Sequence, residues 1–174
     1  MTIRKILTEP DPFLRQKSQK VDVVNDDIRA LMDDMLDTMY DAPGIGLAAI
    51  QIGIPQRVIV IDLSKNDEKK NPFYFVNPEI ITKSNKDASY EEGCLSVPNQ
   101  FAEISRPNTC KVKFLDYDGD EKIMEVEGLL ATCIQHEMDH LEGILFIDYL
   151  SKLKKTMIIK KLSKHKKNLE RIVV

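Results

Sequence analysis

The sequence predicts an α+β fold: mostly antiparallel β-sheets packed around a central helix, with an amphipathic helix near the N-terminus and a basic helix at the C-terminus. Three observations lead there. Apolar residues recur with helical period around residues 25–40 and again, late in the chain, at 128–142. Between these stretches lie short β-branched or alternating segments bounded by turn residues, a pattern that favours antiparallel pairing. From Leu150 onward the chain is helical in period and strongly cationic.

Asn25 to Tyr40 reads as the first helix. Ile28, Leu31, Met32, Met35, Leu36 and Met39 form one apolar stripe; Asn25 is the candidate N-cap, Asp26 and Asp27 suit the first turn, and Pro43-Gly44 ends the run. Arg57–Leu63 is a β-branched run that predicts a buried strand, and Ser64–Pro72 is a charged loop. Phe73–Val76 and Ile80–Thr82 read as short strands around Asn77-Pro78. Thr109–Asp116 alternates, with Cys110, Val112 and Phe114 on one face; Asp118-Gly119 is a hairpin turn and Lys122–Val126 the return strand. Gly128–Glu142 returns to helical period, with Gly143 as its C-terminal stop.

At 174 residues the chain is one domain's worth, and about 70% of its unfolded surface can be buried without a disulfide or metal staple. Seven Gly and eight Pro exclude collagen-like or low-complexity character. No apolar run approaches the roughly 18 residues of a membrane span, and the opening MTIRKILTEPD predicts no signal peptide. Three widely spaced cysteines, Cys94, Cys110 and Cys133, argue against a disulfide framework and for a reducing, cytoplasmic setting. The net charge of −3 hides an asymmetry: residues 151–174 carry nine Lys/Arg and one acid, Glu170, whereas residues 1–150 carry sixteen bases and twenty-seven acids. The expected organisation is therefore a single catalytic unit over 1–150 and a basic tail over 151–174 that meets a polyanion.

The strongest local signal is Gln135-His136-Glu137-Met138-Asp139-His140. Histidines at i and i+4 lie one turn apart on one helix face, so both imidazoles reach one metal ion. Glu137 follows the first ligand and can serve as general base toward a water at that metal. With three His and twelve Glu in the chain, chance gives this pattern in about 0.3% of shuffled orders, and the rival reading, a solvated helix face, fails on position. Leu129, Cys133, His136 and His140 share the stripe, and that face is expected to point inward.

A catalytic metal site usually has three protein ligands and an open position. The metzincin continuation HExxHxxGxxH holds only as far as Gly143, because Phe146 stands at the last ligand position. His165 lies in the basic tail, and Glu170 is the only acid after Asp148. The third ligand is thus expected upstream, with Cys94 as the best candidate. It lies in Tyr90-Glu91-Glu92-Gly93-Cys94-Leu95-Ser96-Val97-Pro98, which reads as a Gly-flanked turn. Cys110 fits a buried strand position, and Cys133 reads as a pocket wall rather than a ligand. A third stretch, Gly44-Ile45-Gly46-Leu47-Ala48-Ala49-Ile50-Gln51, reads as a tight turn whose glycines admit close backbone approach. Gln51 is a lone amide in apolar surroundings and needs a partner, for which a substrate carbonyl is a candidate.

These three stretches, GIGLAAIQ (44–51), EGCLS (92–96) and QHEMDH (135–140), resemble the signature motifs of the peptide deformylase family in content, order and spacing. The resemblance extends over roughly residues 1–150, including Asp11-Pro12, Leu14-Arg15 and Leu145-Phe146-Ile147-Asp148. It implies a hydrolase that removes formyl from the initiator Met of nascent chains, with Fe2+ as the native metal; a His2Cys site also accepts Zn2+, Ni2+ or Co2+. By resemblance Cys94, His136 and His140 bind the metal, Glu137 is the acid/base toward a metal-activated water, and Gln51 with the Leu95 N–H holds the formyl oxygen. Ile45, Tyr90, Glu92, Leu129, Cys133 and His136 would wall the Met side-chain pocket, with Gly46 and Gly93 at the peptide backbone. Phe101 stands where many bacterial members carry Arg, and Tyr90 is bulkier than the aliphatic residue often found there. Arg106 is a candidate to orient Glu92 or a ligand. The tail, with Leu153, Met157 or Ile158, Leu162 and Leu169 as its packing stripe, is expected to dock on the ribosome; neither a membrane nor a DNA partner is expected. Two other readings fit the metal pattern alone: a zincin protease, and a structural metal site in a polyanion-binding module.

Overall fold

The structure, a computed structural model, describes residues 2–64 and 68–172, with side chains described through His165 in the last helix. In chain order the elements are α1 (Asp26–Asp41), β1 (Gly46–Ala48), β2 (Val58–Ile61), β3 (Phe73–Lys83), β4 (Asp87–Cys94), β5 (Val97–Pro107), β6 (Thr109–Leu115), β7 (Glu121–Glu127), α2 (Gly128–Leu141) and α3 (Lys152–Ile172). Short 3-10 turns at Pro12–Arg15, Ala49–Ile52 and Phe146–Tyr149 join them.

Strands β1-β2-β3-β6-β7 form one antiparallel sheet in that order, and β4 and β5 form a separate hairpin. Side-chain alternation splits the large sheet's residues between two faces. Leu47, Val58, Val60 and Val76 pack against Ile28, Leu31, Met32, Met35 and Met39 of α1. Ala48, Ile59, Ile61, Phe75, Val112 and Phe114 face Ala131, Cys133, Ile134 and Leu141 of α2. Full burial of an Ile, Leu or Phe contributes about 1.5–3 kcal/mol, so these two layers fix where α2 lies. On the side of α2 away from the sheet, Val97 and Ile104 of the hairpin pack with Leu145, Phe146, Ile147 and Leu162. The central helix is therefore held between an apolar sheet and a two-stranded hairpin.

The caps follow expectation. Asn25 Oδ1 accepts from the Ile28 N–H at 3.0 Å. Gly143 takes φ +74° directly beyond α2, and a Cβ there would lie 2.4 Å from the Arg15 carbonyl oxygen. Three expectations are corrected. The strands placed at 73–76 and 80–82 are one strand, β3, bulged where Asn77 takes φ 51° and its amide bonds the Val21 N–H and C=O at 2.8 Å each. The segment read as a Gly-flanked turn around Cys94 is the end of β4 and the turn into β5; the outer residues Asp87–Glu91 alternate only between exposed and half-buried, so no fully buried face marks the strand. In α3 the packed residues are Ile158, Ile159 and Leu162; Leu153 and Met157 are exposed, and Leu169 lies outside the described side chains. Residues 65–67 of the expected charged loop are also outside the described residues.

Candidate active site

Helix α2 presents His136, Glu137 and His140, all buried, toward the hairpin. The turn after β4 brings Cys94 to meet them: Cys94 Sγ stands 3.2 Å from His140 Nε2, and the candidate ligand atoms of Cys94, His136 and His140 all lie within 4.8 Å of one another. Sulfur and imidazole nitrogens bound tetrahedrally to one ion would sit about 3.3–3.6 Å apart, given bonds near 2.0–2.3 Å. The donor set fits a borderline-soft divalent metal.

His136 is aimed by its other ring nitrogen. Nδ1 lies 2.8 Å from Glu92 Oε2, leaving Nε2 to face Cys94. The Arg106 guanidinium grips the same carboxylate through Nε at 2.6 Å and Nη2 at 3.0 Å, and reaches Asp139 Oδ2 through Nη1 at 2.8 Å. Tyr149 donates its hydroxyl to that Asp139 oxygen at 2.8 Å and lies flat under Arg106, 4.9 Å from ring centroid to guanidinium. Burial opposes ionisation of Glu92, but the bonds from His136 and Arg106 hold its carboxyl below the ordinary range. Burial likewise pushes His136 down, yet its bonds with Cys94 and Glu92 carry it well above the usual value. His140, whose Nδ1 is buried without a hydrogen-bond partner, is pushed well below by burial and by His136.

Glu137 Oε2 is buried with no hydrogen-bond partner, and burial pushes its carboxyl up to about 7 against the pull of His136. Its other oxygen would lie 2.5 Å from a Cβ built on Gly46, so only glycine lets β1 pass this close to Glu137. Gln51 lies in the 3-10 turn after β1. The Ala48 N–H fixes its Oε1 at 2.8 Å, which leaves Nε2 pointing at Ser96 Oγ (3.1 Å) and Cys94 Sγ (3.6 Å).

From this cluster opens a cleft of about 550 Å³. It gathers residues from all three motifs: Ile45, Gly46 and Gln51; Tyr90, Glu92, Gly93, Cys94 and Leu95; and Leu129, Cys133, His136 and Glu137. Leu129, expected to face inward, stands 45% exposed at the mouth, in the first turn of α2. Ile45 and Phe101 flank the same opening, exposed. Cys110 lies apart in the core. Sequence reasoning missed Ser96, Thr132, Asp139 and Tyr149. Ser96, which ends the EGCLS stretch, is buried against Gln51, and Thr132 is buried in the cleft wall, but neither carries a charge that would single it out; Asp139 and Tyr149 gain meaning only from Arg106 folding between them.

A buried His-Glu-x-x-His helix, met by a hairpin cysteine at the head of a peptide-sized cleft, defines a hydrolase with a metal centre. The chain belongs to the polypeptide deformylase family, whose model matches residues 3–156. It is 66% identical over 174 residues, the whole of both chains, to a peptide deformylase of Pelagibacter ubique (strain HTCC1062). Among solved structures it superposes with TM-score 0.90 and 41% identity on a peptide deformylase from Ehrlichia chaffeensis in complex with actinonin, over 95% of this chain and 98% of that one. A peptide deformylase from Legionella pneumophila gives TM-score 0.89 and 44% identity, over 98% and 99%.

Proposed function

We propose that this chain removes the N-formyl group from the initiator formyl-Met of nascent polypeptides, using Glu137 as general acid/base. The observation that carries the reading is the lone, unpartnered Glu137 oxygen buried beside the Cys94–His136–His140 donor set. Those three residues would hold a divalent metal, Fe2+ natively with Zn2+, Ni2+ or Co2+ as substitutes, which would supply Lewis acidity at the site. Glu137 takes the proton from the attacking water as its oxygen adds to the formyl carbon. Gln51 Nε2, its partner oxygen already committed to Ala48, and the Leu95 N–H receive the developing oxyanion; each such donor is typically worth about 2.7–4 kcal/mol. Glu137 returns the proton to the Met nitrogen as the C–N bond breaks, and formate leaves.

The Met side chain enters among Ile45, Tyr90, Glu92, Leu129, Cys133 and His136, while Gly46 and Gly93 meet the peptide backbone. Residues 1–150 are the catalytic unit, and the basic helix α3 anchors it to the ribosome in the cytoplasm. No helix among the described residues is long and apolar enough to cross a membrane. The test is formate release from formyl-Met-Ala, set against amide cleavage of unformylated Met-Ala peptides. Formate release alone supports the reading; cleavage of the unformylated peptide, or neither, overturns it. A protease reading has no observation in its favour.

A further inference from the structure

A second cavity, of about 250 Å³, lies between α3 and the Pro98–Gln100 segment of β5. Those three residues also line the catalytic cleft, so the two spaces share a wall. The opposite wall is one face of α3: Leu162 is buried against the hairpin, and Lys161, Lys164 and His165 flank it. Among the described residues, no acidic side chain lines this cavity. Among the described residues, Lys161 and Lys164 have no carboxylate at ion-pair distance, whereas Lys155 lower on the helix pairs with Asp148. Leu162 fixes the helix face, so the two ammonium groups stay beside the cleft rather than roaming with a free tail.

We propose that this cavity receives an acidic side chain of the substrate, downstream of the residues held in the cleft, so that the enzyme favours formylated chains with Asp or Glu there. The inference rests on the deformylase reading above. A strand advances about 3.4 Å per residue, so a chain leaving the cleft along Pro98–Gln100 comes alongside Lys161 and Lys164 within a few residues. Residues 1–150 carry a net acidic balance, so the cationic face of α3 is where a carboxylate gains most from the charge distribution. Asn99 and Gln100 supply amide groups, and Pro98 with Leu162 an apolar floor, which suits a single side chain.

The experiment compares kcat/KM for formyl-Met octapeptides carrying Glu, Gln or Lys at positions four to eight in turn. Wild type should favour Glu over Lys by roughly 3–10-fold at one or two adjacent positions, as expected of two partly solvated ion pairs, and the preference should fade in 0.5 M salt. The Lys161→Gln/Lys164→Gln variant should lose the preference, and Lys161→Glu/Lys164→Glu should reverse it. All three should turn over formyl-Met-Ala equally, because neither lysine reaches the cleft. Formyl-Met-Ala turnover with no charge preference in wild type, or with a preference that survives both variants, overturns this proposal alone. So does a result in which the variants change only the retention of a single-stranded RNA oligomer, which would assign the lysines to nucleic acid. Failure to hydrolyse formyl-Met-Ala would overturn both proposals.

Discussion

Helices α2 and α3 carry polar residues in opposite ways. In α2, Gln135, His136, Glu137 and His140 are buried. In α3, among described side chains, Leu162 alone is buried, and the lysines other than the half-buried Lys155 stand in water. A polar group in a dry, low-dielectric place interacts strongly and is costly to leave unpaired. A charge in water is screened within about 8–10 Å and contributes little locally. The difference teaches where each function can reside: chemistry needs the buried helix, and steering of charged partners needs the exposed one. Substitutions in α2 should therefore be large and insensitive to salt, and those in α3 small and salt-dependent.

The sharpest test is Glu137→Gln. It keeps the shape, and the metal set of Cys94, His136 and His140 is untouched. Bound metal measured by elemental analysis should stay at wild-type stoichiometry while kcat falls by roughly 10²–10⁴, the range for losing a general acid–base. Turnover near wild type would remove Glu137 from the chemistry. Cys94→Ser should act on the other half of the site, because an alcohol stays protonated where a thiol ionises. Chelator competition should show weakened metal binding there and none in Cys110→Ser.

A smaller effect is expected one step out from the ligands. Tyr149 is half exposed, yet its hydroxyl and ring hold Asp139 and Arg106, which hold Glu92, which aims His136. Tyr149→Phe keeps the ring and loses the hydroxyl. Partners of metal ligands typically tune affinity by 10–100-fold; with the ring retained, about 10-fold weaker Co2+ binding is expected, with a shifted visible spectrum of the Co2+ form. Unchanged affinity and spectrum would mean that the chain of contacts stops at Arg106.

This chain of contacts also marks the limit of what the sequence carries. Helices α1 and α2 are legible because one periodic apolar face decides each, and strand β2 because a continuous β-branched run marks a strand buried on both faces. The metal set is legible because two ligands are local to one helix and the elimination of downstream acids leaves Cys94. The β4–β5 hairpin is not, since its outer half alternates only between exposed and half-buried positions and offers no fully buried apolar face to read. Glu92, Arg106, Asp139 and Tyr149 come from four separate elements, and only the completed fold joins them. For α3 the spacing admits Leu153, Met157 or Ile158, Leu162 and Leu169, because spacing alone leaves the rotation of a helix about its axis undetermined. The contacts of Ile158 and Leu162 with the hairpin settle it.

Between the two helices stands Asp148, tying α3 to the body. Its carboxylate pairs with Lys155 of α3 and with Arg15, and accepts from the Leu145 N–H at 2.9 Å. Burial pushes this carboxyl up, but those bonds outweigh it and hold it below the ordinary range. A folded-state value below the unfolded one means stability present above the unfolded pKa of about 3.9 and lost as pH falls through the lower folded value. Asp148→Asn should cost about 1 kcal/mol at pH 7, since the pairs are partly solvated. The gap in unfolding free energy between the two proteins should shrink below about pH 4. A gap that stays constant down to pH 3 would show that the charge on Asp148 contributes nothing.

The smallest effect on catalysis, and the largest on location, is expected from α3. Removing the helix is a poor test, because it would uncover Val97, Ile104 and Phe146, which Leu162 and its neighbours cover. Lys152, Lys154 and Lys160 are exposed and lie outside both cavities. The triple variant Lys152→Gln/Lys154→Gln/Lys160→Gln should therefore fold normally and keep kcat/KM on formyl-Met-Ala within experimental error. If α3 anchors the enzyme to ribosomal RNA, each lost phosphate contact reduces the slope of log affinity against log salt by about 0.7–0.9. Co-sedimentation with ribosomes at low salt should weaken, with a flatter salt dependence than wild type. A variant that binds as tightly as wild type, with the same slope, would mean that these exposed charges serve solubility alone, and the division of labour between the buried and the exposed helix would lose its second half.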